Sequence, residues 1–149
     1  MSETIKRIAI GGDHAGFSMK EYIKQKISKL GYEFEDFGPY SDEKIDYPDV
    51  AHPLAKSIQS GNFKFGILIC GSGNGVAMVA NKYPNIRAAV CWNEEITKLA
   101  RMHNDANIIT LPARFITLEE AVCFVTLFLT TEFEGGRHIK RIEKIAPIM

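Results

Sequence analysis

Phe65-Gly66-Ile67-Leu68-Ile69-Cys70-Gly71-Ser72-Gly73-Asn74-Gly75-Val76 holds the end of one element and the start of another. Phe65 to Ile69 is apolar throughout, with no polar alternation, so it reads as a strand buried on both faces. Cys70 closes it, and the glycines at 71, 73 and 75 break it. A helix then begins at about Val76 and runs to Asn81. A strand with two apolar faces needs helices on both sides of its sheet, which places the chain in the α/β class.

Outward from this stretch the same unit recurs. Upstream, Ile5 to Ile10 is β-branched and ends in Gly11-Gly12, a second buried strand. From Gly16 to Leu30, Met19, Ile23, Ile27 and Leu30 recur at helical spacing, and Gly31 stops that helix. Tyr32 to Phe37 reads as a strand closed by Gly38-Pro39. Asp49 to Ser60 reads as a helix in which Pro53 is tolerable only within the first turn. Downstream, strands are expected at Ile86 to Cys91 and Asn107 to Leu111. Helices are expected at Glu94 to Arg101, Leu118 to Leu129 and, after Gly135-Gly136, Arg137 to Ile145. Five strands alternate with helices. Right-handed crossovers then predict a Rossmann-like three-layer α/β/α sandwich with a five-stranded parallel sheet and a C-terminal helix. That last helix is expected to pack on another subunit rather than on its own sheet.

The chain has 149 residues, which predicts one domain over 1–149. Its 18 basic and 18 acidic side chains balance, so no overall field marks a nucleic-acid or membrane partner. The polar opening Met1–Arg7 has no apolar signal core, and no apolar stretch is long enough to span a bilayer. The three cysteines lack disulfide or metal-ligand spacing, which fits a reduced cytoplasm.

In such folds ligands bind beyond the carboxyl ends of the strands. The first strand delivers Asp13-His14-Ala15-Gly16 there, the third the Cys70–Gly75 turn, and the fifth Pro112-Ala113-Arg114. Successive backbone N–H groups of a glycine turn can form a nest for an anion. The turn lacks the G-x-G-x-x-G spacing of a dinucleotide fingerprint and the Lys-Ser/Thr of a P-loop. The plainer reading is a tight strand–helix connection. Helix N-termini favour thiolate over thiol, so Cys70 reads as a nucleophile or base, or else as a small core residue. Cys91 and Cys123 read as core.

His103-Asn104-Asp105 falls between a helix and the fifth strand, at the amino edge of the sheet. By itself His103 reads as a helix-terminal residue facing the last carbonyls. A functional His103 would have to serve a neighbouring subunit's cleft. Arg137 and Arg141, four apart with His138 beside them, form a cationic face suited to phosphate or simply a solvated one. Asp13 is also a good N-cap, and Tyr47 could anchor its loop.

These pieces together resemble type B ribose-5-phosphate isomerases over essentially the whole chain. The resemblance rests on Gly12-Asp13-His14-Ala15-Gly16, Asp46-Tyr47-Pro48, Cys70-Gly71-Ser72-Gly73-Asn74-Gly75, Ala80-Asn81-Lys82, His103-Asn104-Asp105 and Glu134-Gly135-Gly136-Arg137-His138. It implies a homodimer, or a tetramer of paired dimers, with shared active sites and neither metal nor cofactor. It implies Cys70 as the base and His103, from the partner, as the acid that opens the furanose ring. Asp13 and Ser72 would contact the reacting hydroxyls, with Tyr47 and Asn104 nearby. Gly71, Ser72, Gly73, Asn74 and Gly75 would form the anion hole. His14, Arg114, Arg137 and Arg141 would hold the phosphate. One branch of the family uses a glutamate just after the glycine turn as base. Val76 stands there, so the chain follows the cysteine branch. The implied reaction interconverts ribose 5-phosphate and ribulose 5-phosphate. Allose 6-phosphate or galactose 6-phosphate isomerisation, or a non-enzymatic phospho-ligand-binding domain, are the alternatives.

Overall fold

A parallel five-stranded sheet forms the centre of the molecule, with strands β1 (Arg7–Gly12), β2 (Glu33–Asp36), β3 (Phe65–Cys70), β4 (Ala88–Val90) and β5 (Ile108–Pro112). The computed structural model describes residues 6–148; Ile5, the expected first residue of β1, lies outside them. The helices are α1 (Phe17–Ile27), α2 (Tyr47–Gln59), α3 (Asn74–Ala80), α4 (Glu94–Met102), α5 (Leu118–Thr130) and α6 (Arg137–Glu143). The expected α/β sandwich is therefore present.

Alternation along β3 divides the core into two layers. Phe65, Ile67 and Ile69 point to one face, where they meet Ile23 and Ile27 of α1, Ala100 of α4 and Phe124 and Phe128 of α5. Leu68 and Cys70 point to the other, with Val50 and Leu54 of α2 and Val76 and Ala80 of α3. Each fully buried Ile or Leu contributes about 1.5–3 kcal/mol relative to an exposed one. Glutamates in the first turns of α4 and α5 complement the helix dipole. Thr117 and Glu120 close a reciprocal capping box on α5, at 3.0 and 2.8 Å.

The sheet order is β2-β1-β3-β5-β4. β5 sits between β3 and β4, leaving the three-residue β4 as a short edge strand. The carboxyl ends of β1, β3 and β5 are thus adjacent: Gly12 registers with Ile69, and Cys70 with Pro112. Because β2 and β5 flank this pair on opposite sides, the crevice for a ligand opens between β1 and β3.

Pro53 departs from expectation. It is the seventh residue of α2, well inside the helix, where it cannot donate to the Asp49 carbonyl. The helix persists because Val50, Ala51, Leu54, Ala55 and Ile58 bury its inner face, while Pro53 stays exposed. α6 joins neither layer. Its buried residue is His138, at the end of α4.

Lys20 is fully buried, although it carries a charge. Its Nζ reaches Asp36 at 2.5 Å and Glu21 at 2.8 Å, and Lys24 reaches Asp36 at 2.7 Å. Asp36 also accepts the Gly38 N–H, and the Gly38 carbonyl accepts the Gly12 N–H. The network therefore ties the end of β2 to the residue before Asp13. Burial alone would raise the Asp36 carboxyl, but hydrogen bonds from Lys20, Lys24 and Gly38 outweigh it and hold the group below the usual carboxylate range. Asp36→Asn should lower stability by about 2 kcal/mol, because it leaves the buried Lys20 ammonium with one carboxylate partner, Glu21, instead of two. The folded-state pKa lies below the unfolded one, so this contribution is present at neutral pH and disappears as pH falls through the folded value. Urea unfolding should show a gap between variant and wild type at neutral pH that closes once the pH falls below the ordinary carboxylate range. A gap that persists there would contradict the assignment.

Candidate active site

The glycine turn between β3 and α3 uses each glycine for a different reason. Gly73 has φ 77° and ψ −7°, the left-handed region that favours glycine. At Gly71 an added Cβ would lie 3.1 Å from Nη1 of Arg114. At Gly75 it would lie 2.6 Å from Cε1 of Tyr47. Tyr47 and Arg114 therefore lie against the turn itself. Tyr47 comes from the first residue of α2, and Arg114 is held by its own N–H to the Gly71 carbonyl at 3.0 Å.

The turn presents free donors. Among the described residues, the N–H groups of Gly71, Ser72 and Gly73 find no acceptor, while that of Asn74 donates to Ser72 Oγ at 3.2 Å. Thr110 donates to the Gly73 carbonyl at 2.8 Å and steadies the turn from below. Because α3 spans only seven residues, its dipole is small, and the anion cradle rests mainly on these amides.

Asp13 lies alongside. Its N–H donates to the Ile69 carbonyl at 3.0 Å, next to Cys70. Its Oδ1 accepts the Ala15 and Gly16 N–H groups at 2.9 and 3.2 Å, so it does cap the short 3-10 turn His14–Gly16. The cap fixes the carboxylate at the crevice. His14 Nδ1 accepts the Ile45 N–H at 3.3 Å, which leaves its proton on Nε2 as a donor. His14 borders a cavity of about 820 Å³ lined also by Phe37, Tyr40, Asp46, Asp49 and Val50.

Cys70 is 5% exposed and packs beside Val50 and Val76 at the edge of this crevice. Cys91 is different. Burial pushes its thiol up to about 11 against a weaker opposing bond from Thr97, which fits the core reading.

The remaining candidates lie elsewhere. His103 caps α4 and Asn104 follows it, both before β5 begins. β5 runs from there to Pro112, beside Cys70, so at about 3.3 Å per residue it separates the two ends by roughly 13 Å. The His103 ring stacks on His138 with centroids 4.2 Å apart and planes 16° apart. Arg137 and Arg141 are exposed on the same short helix as His138 and make no ion pair among the described residues. The structure thus gathers Asp13, His14, Tyr47, Cys70, the 71–75 turn and Arg114 at one edge of the sheet. It gathers His103, Asn104, Arg137 and Arg141 at the other.

A family model described as "Ribose/Galactose Isomerase" matches residues 8–145. The chain belongs to this ribose/galactose isomerase family. It is 41% identical over 144 residues to a protein named ribose-5-phosphate isomerase B of Escherichia coli K12, covering 97% of each chain. The crystal structure of a ribose 5-phosphate isomerase from Thermotoga maritima superposes with a TM-score of 0.91 at 50% identity, over 93% of this chain and 96% of that one. A Mycoplasma genitalium ribose-5-phosphate isomerase B solved with bound ribulose 5-phosphate gives a TM-score of 0.89 at 41% identity, over 93% of both chains. The α/β expectation and the family resemblance are both borne out. No helix among the described residues is long and apolar enough to cross a membrane.

Two features at these edges escape a reading of the sequence. The loop around residues 37–46 lines the crevice cavity, and only Asp46 and the neighbouring Tyr47 stand out there by motif. Lys20 and Asp36 support Gly12 from behind. A signal for Lys20 is present: it lies three and seven residues before Ile23 and Ile27, on the buried stripe of α1.

Proposed function

We propose that the chain is an aldose–ketose isomerase interconverting D-ribose 5-phosphate and D-ribulose 5-phosphate. The observation that carries this reading is the cluster of free amides at Gly71, Ser72 and Gly73 directly after Cys70, with Asp13 and Arg114 against it. The relatives described above bear the names of ribose-5-phosphate isomerases and favour this substrate over the hexose phosphates. A pure binding role would not need a thiol at the cradle.

The working unit is a homodimer with shared sites, in the cytoplasm. The separation of the two residue groups by the length of β5 supports this. A two-fold interface repeats the same patch on both chains, so each cleft receives His103 and Asn104 of the partner subunit. Arg137 and Arg141 travel with His103 through the His103–His138 stack, so the partner delivers them as one body. Arg114 belongs to the same chain as Cys70.

In the closed sugar, His103 of the partner subunit protonates the ring oxygen, while Asp13 or a water takes the proton of the anomeric hydroxyl. The open aldehyde then lies with its oxygen on the 71–75 amides. Cys70 thiolate removes the C2 proton, and the electron pair forms the C1–C2 double bond of an enediolate. Preorganised donors are worth about 3–4 kcal/mol each where negative charge develops on oxygen. Asp13 and Ser72 contact the two hydroxyls between which the remaining proton moves. The Cys70 thiol returns its proton to C1. His14, Arg114 and the two distant arginines hold the phosphate, which orients C2 against the base.

Incubation with ribose 5-phosphate should produce a ketose; no ketose would reject the function. The double variant Arg137→Ala with Arg141→Ala should raise KM about a hundredfold or more, since hydrogen bonds to charged groups contribute about 1.5–3 kcal/mol each. An unchanged KM would remove both from the phosphate site.

A further inference from the structure

His103 does not stand alone at its corner. His138, one of the few buried polar residues, covers the face of its ring. Glu134 brings Oε1 to 3.3 Å from Nε2 of His138 and 3.9 Å from Nε2 of His103. The Glu134 N–H is tied to the Met102 carbonyl at 3.0 Å, which anchors the carboxylate to the end of α4. Nε2 of His138 is buried and has no well-formed hydrogen bond, so burial without a charge partner would be costly. The Glu134 carboxylate is the group placed to supply one.

Two histidines and a glutamate with ligand atoms within 4.8 Å of one another also have the composition of a metal site. The ring geometry argues against it. With planes only 16° apart, the in-plane lone pairs run side by side and do not converge on one cation. What the arrangement can fix is a ring: His138 covers one face of the His103 imidazole, and Glu134 meets the buried Nε2 of His138. The other charged groups at this corner are engaged or belong to α6. Arg101 pairs with Asp105 at 2.8 Å, Arg87 also reaches Asp105, and Arg137, Lys140 and Arg141 are on α6 itself.

We infer that His138 and Glu134 are positioning residues for His103: the His138 ring clamps the His103 imidazole face-on, and Glu134 fixes the His138 ring at its buried Nε2 edge. The inference rests on the reading of His103 as the ring-opening acid. It follows the general logic in which a proton-transfer group is oriented by a third side chain.

The test uses the full-length protein and two readouts. The first is kcat for ribose 5-phosphate, which is mostly closed. The second is solvent deuterium wash-in at C1 of ribulose 5-phosphate, which cannot close to a furanose because O5 carries the phosphate. Glu134→Gln and His138→Phe should each lower kcat on the order of tenfold, within what general acid catalysis supplies, with KM little changed and wash-in preserved. His103→Asn separates the two ideas. If it lowers both readouts equally, the ring-opening reading fails and this inference falls with it. If it lowers kcat selectively while Glu134→Gln and His138→Phe behave as wild type, only the inference fails. A uniform loss of both readouts in Glu134→Gln would mark a merely structural role and overturn it. So would a bound transition metal that is lost in that variant. Because Glu134 is exposed, its variant tests the idea even if His138→Phe does not fold.

Discussion

Changing Cys70 to alanine should cut turnover about a thousandfold, the middle of the range for a lost general base, and abolish proton exchange at C2. The substitution removes one sulfur from a residue packed beside Val50 and Val76, so the fold should survive. Phosphate recognition should survive too, because Arg114 and the 71–75 amides are set by the backbone of the turn and of β5. The matched control is Cys91→Ala. Its thiol is held protonated by burial, up to about 11, and faces the opposite layer, so activity should remain near wild type. Deuterium exchange followed by NMR, with thermal unfolding of both variants alongside, checks the pair. Turnover retained in Cys70→Ala would remove the thiol from the mechanism.

The contrast between these two cysteines is partly legible in the sequence. Both end apolar strands, and only Cys70 is followed by glycines, so local sequence separates them. Local sequence also marks the strand–turn–helix at 65–76, because a doubly apolar run broken by three glycines has few alternatives. Strand order is another matter. β4 and β5 are similar short apolar runs, and nothing in either states that β5 takes the place next to β3. That choice depends on how α4 and α5 pack together, a contact between distant segments. Lys20 illustrates the same limit. Its position on the inner stripe of α1 is readable, but its partner Asp36 sits at the end of another strand. Pro53 shows tertiary burial overriding a local rule. The two-edge distribution of the candidate residues, by contrast, follows from topology alone. Any residue just before a parallel strand lies at the edge opposite the cleft, and His103 is there. The His138 stack and its link to Glu134 depend on tertiary packing, since helical spacing cannot say which ring α6 meets.

Mixing two inactive variants should restore activity, and this follows from the same geometry. Within one chain, Cys70 and His103 lie at opposite ends of β5 and cannot meet at a sugar whose reacting atoms are adjacent. If each cleft combines Cys70 of one chain with His103 of its partner, Cys70→Ala and His103→Asn damage different halves of every site. A homodimer of either variant then contains two defective sites. In a heterodimer, the chain with intact Cys70 faces the chain with intact His103 at one cleft, and both defects fall together in the other. Random re-pairing of equal amounts makes half the dimers mixed, each with one good site, so about a quarter of wild-type activity should return. Co-expression with two affinity tags, followed by isolation of the doubly tagged species, should raise that figure to about half. Gain of function is the informative sign, because neither misfolding nor loss of a supporting contact can produce it. If Cys70 and His103 instead served the same cleft within one chain, every site in every mixture would carry a defect, and the mixed preparation would stay as inactive as its parents.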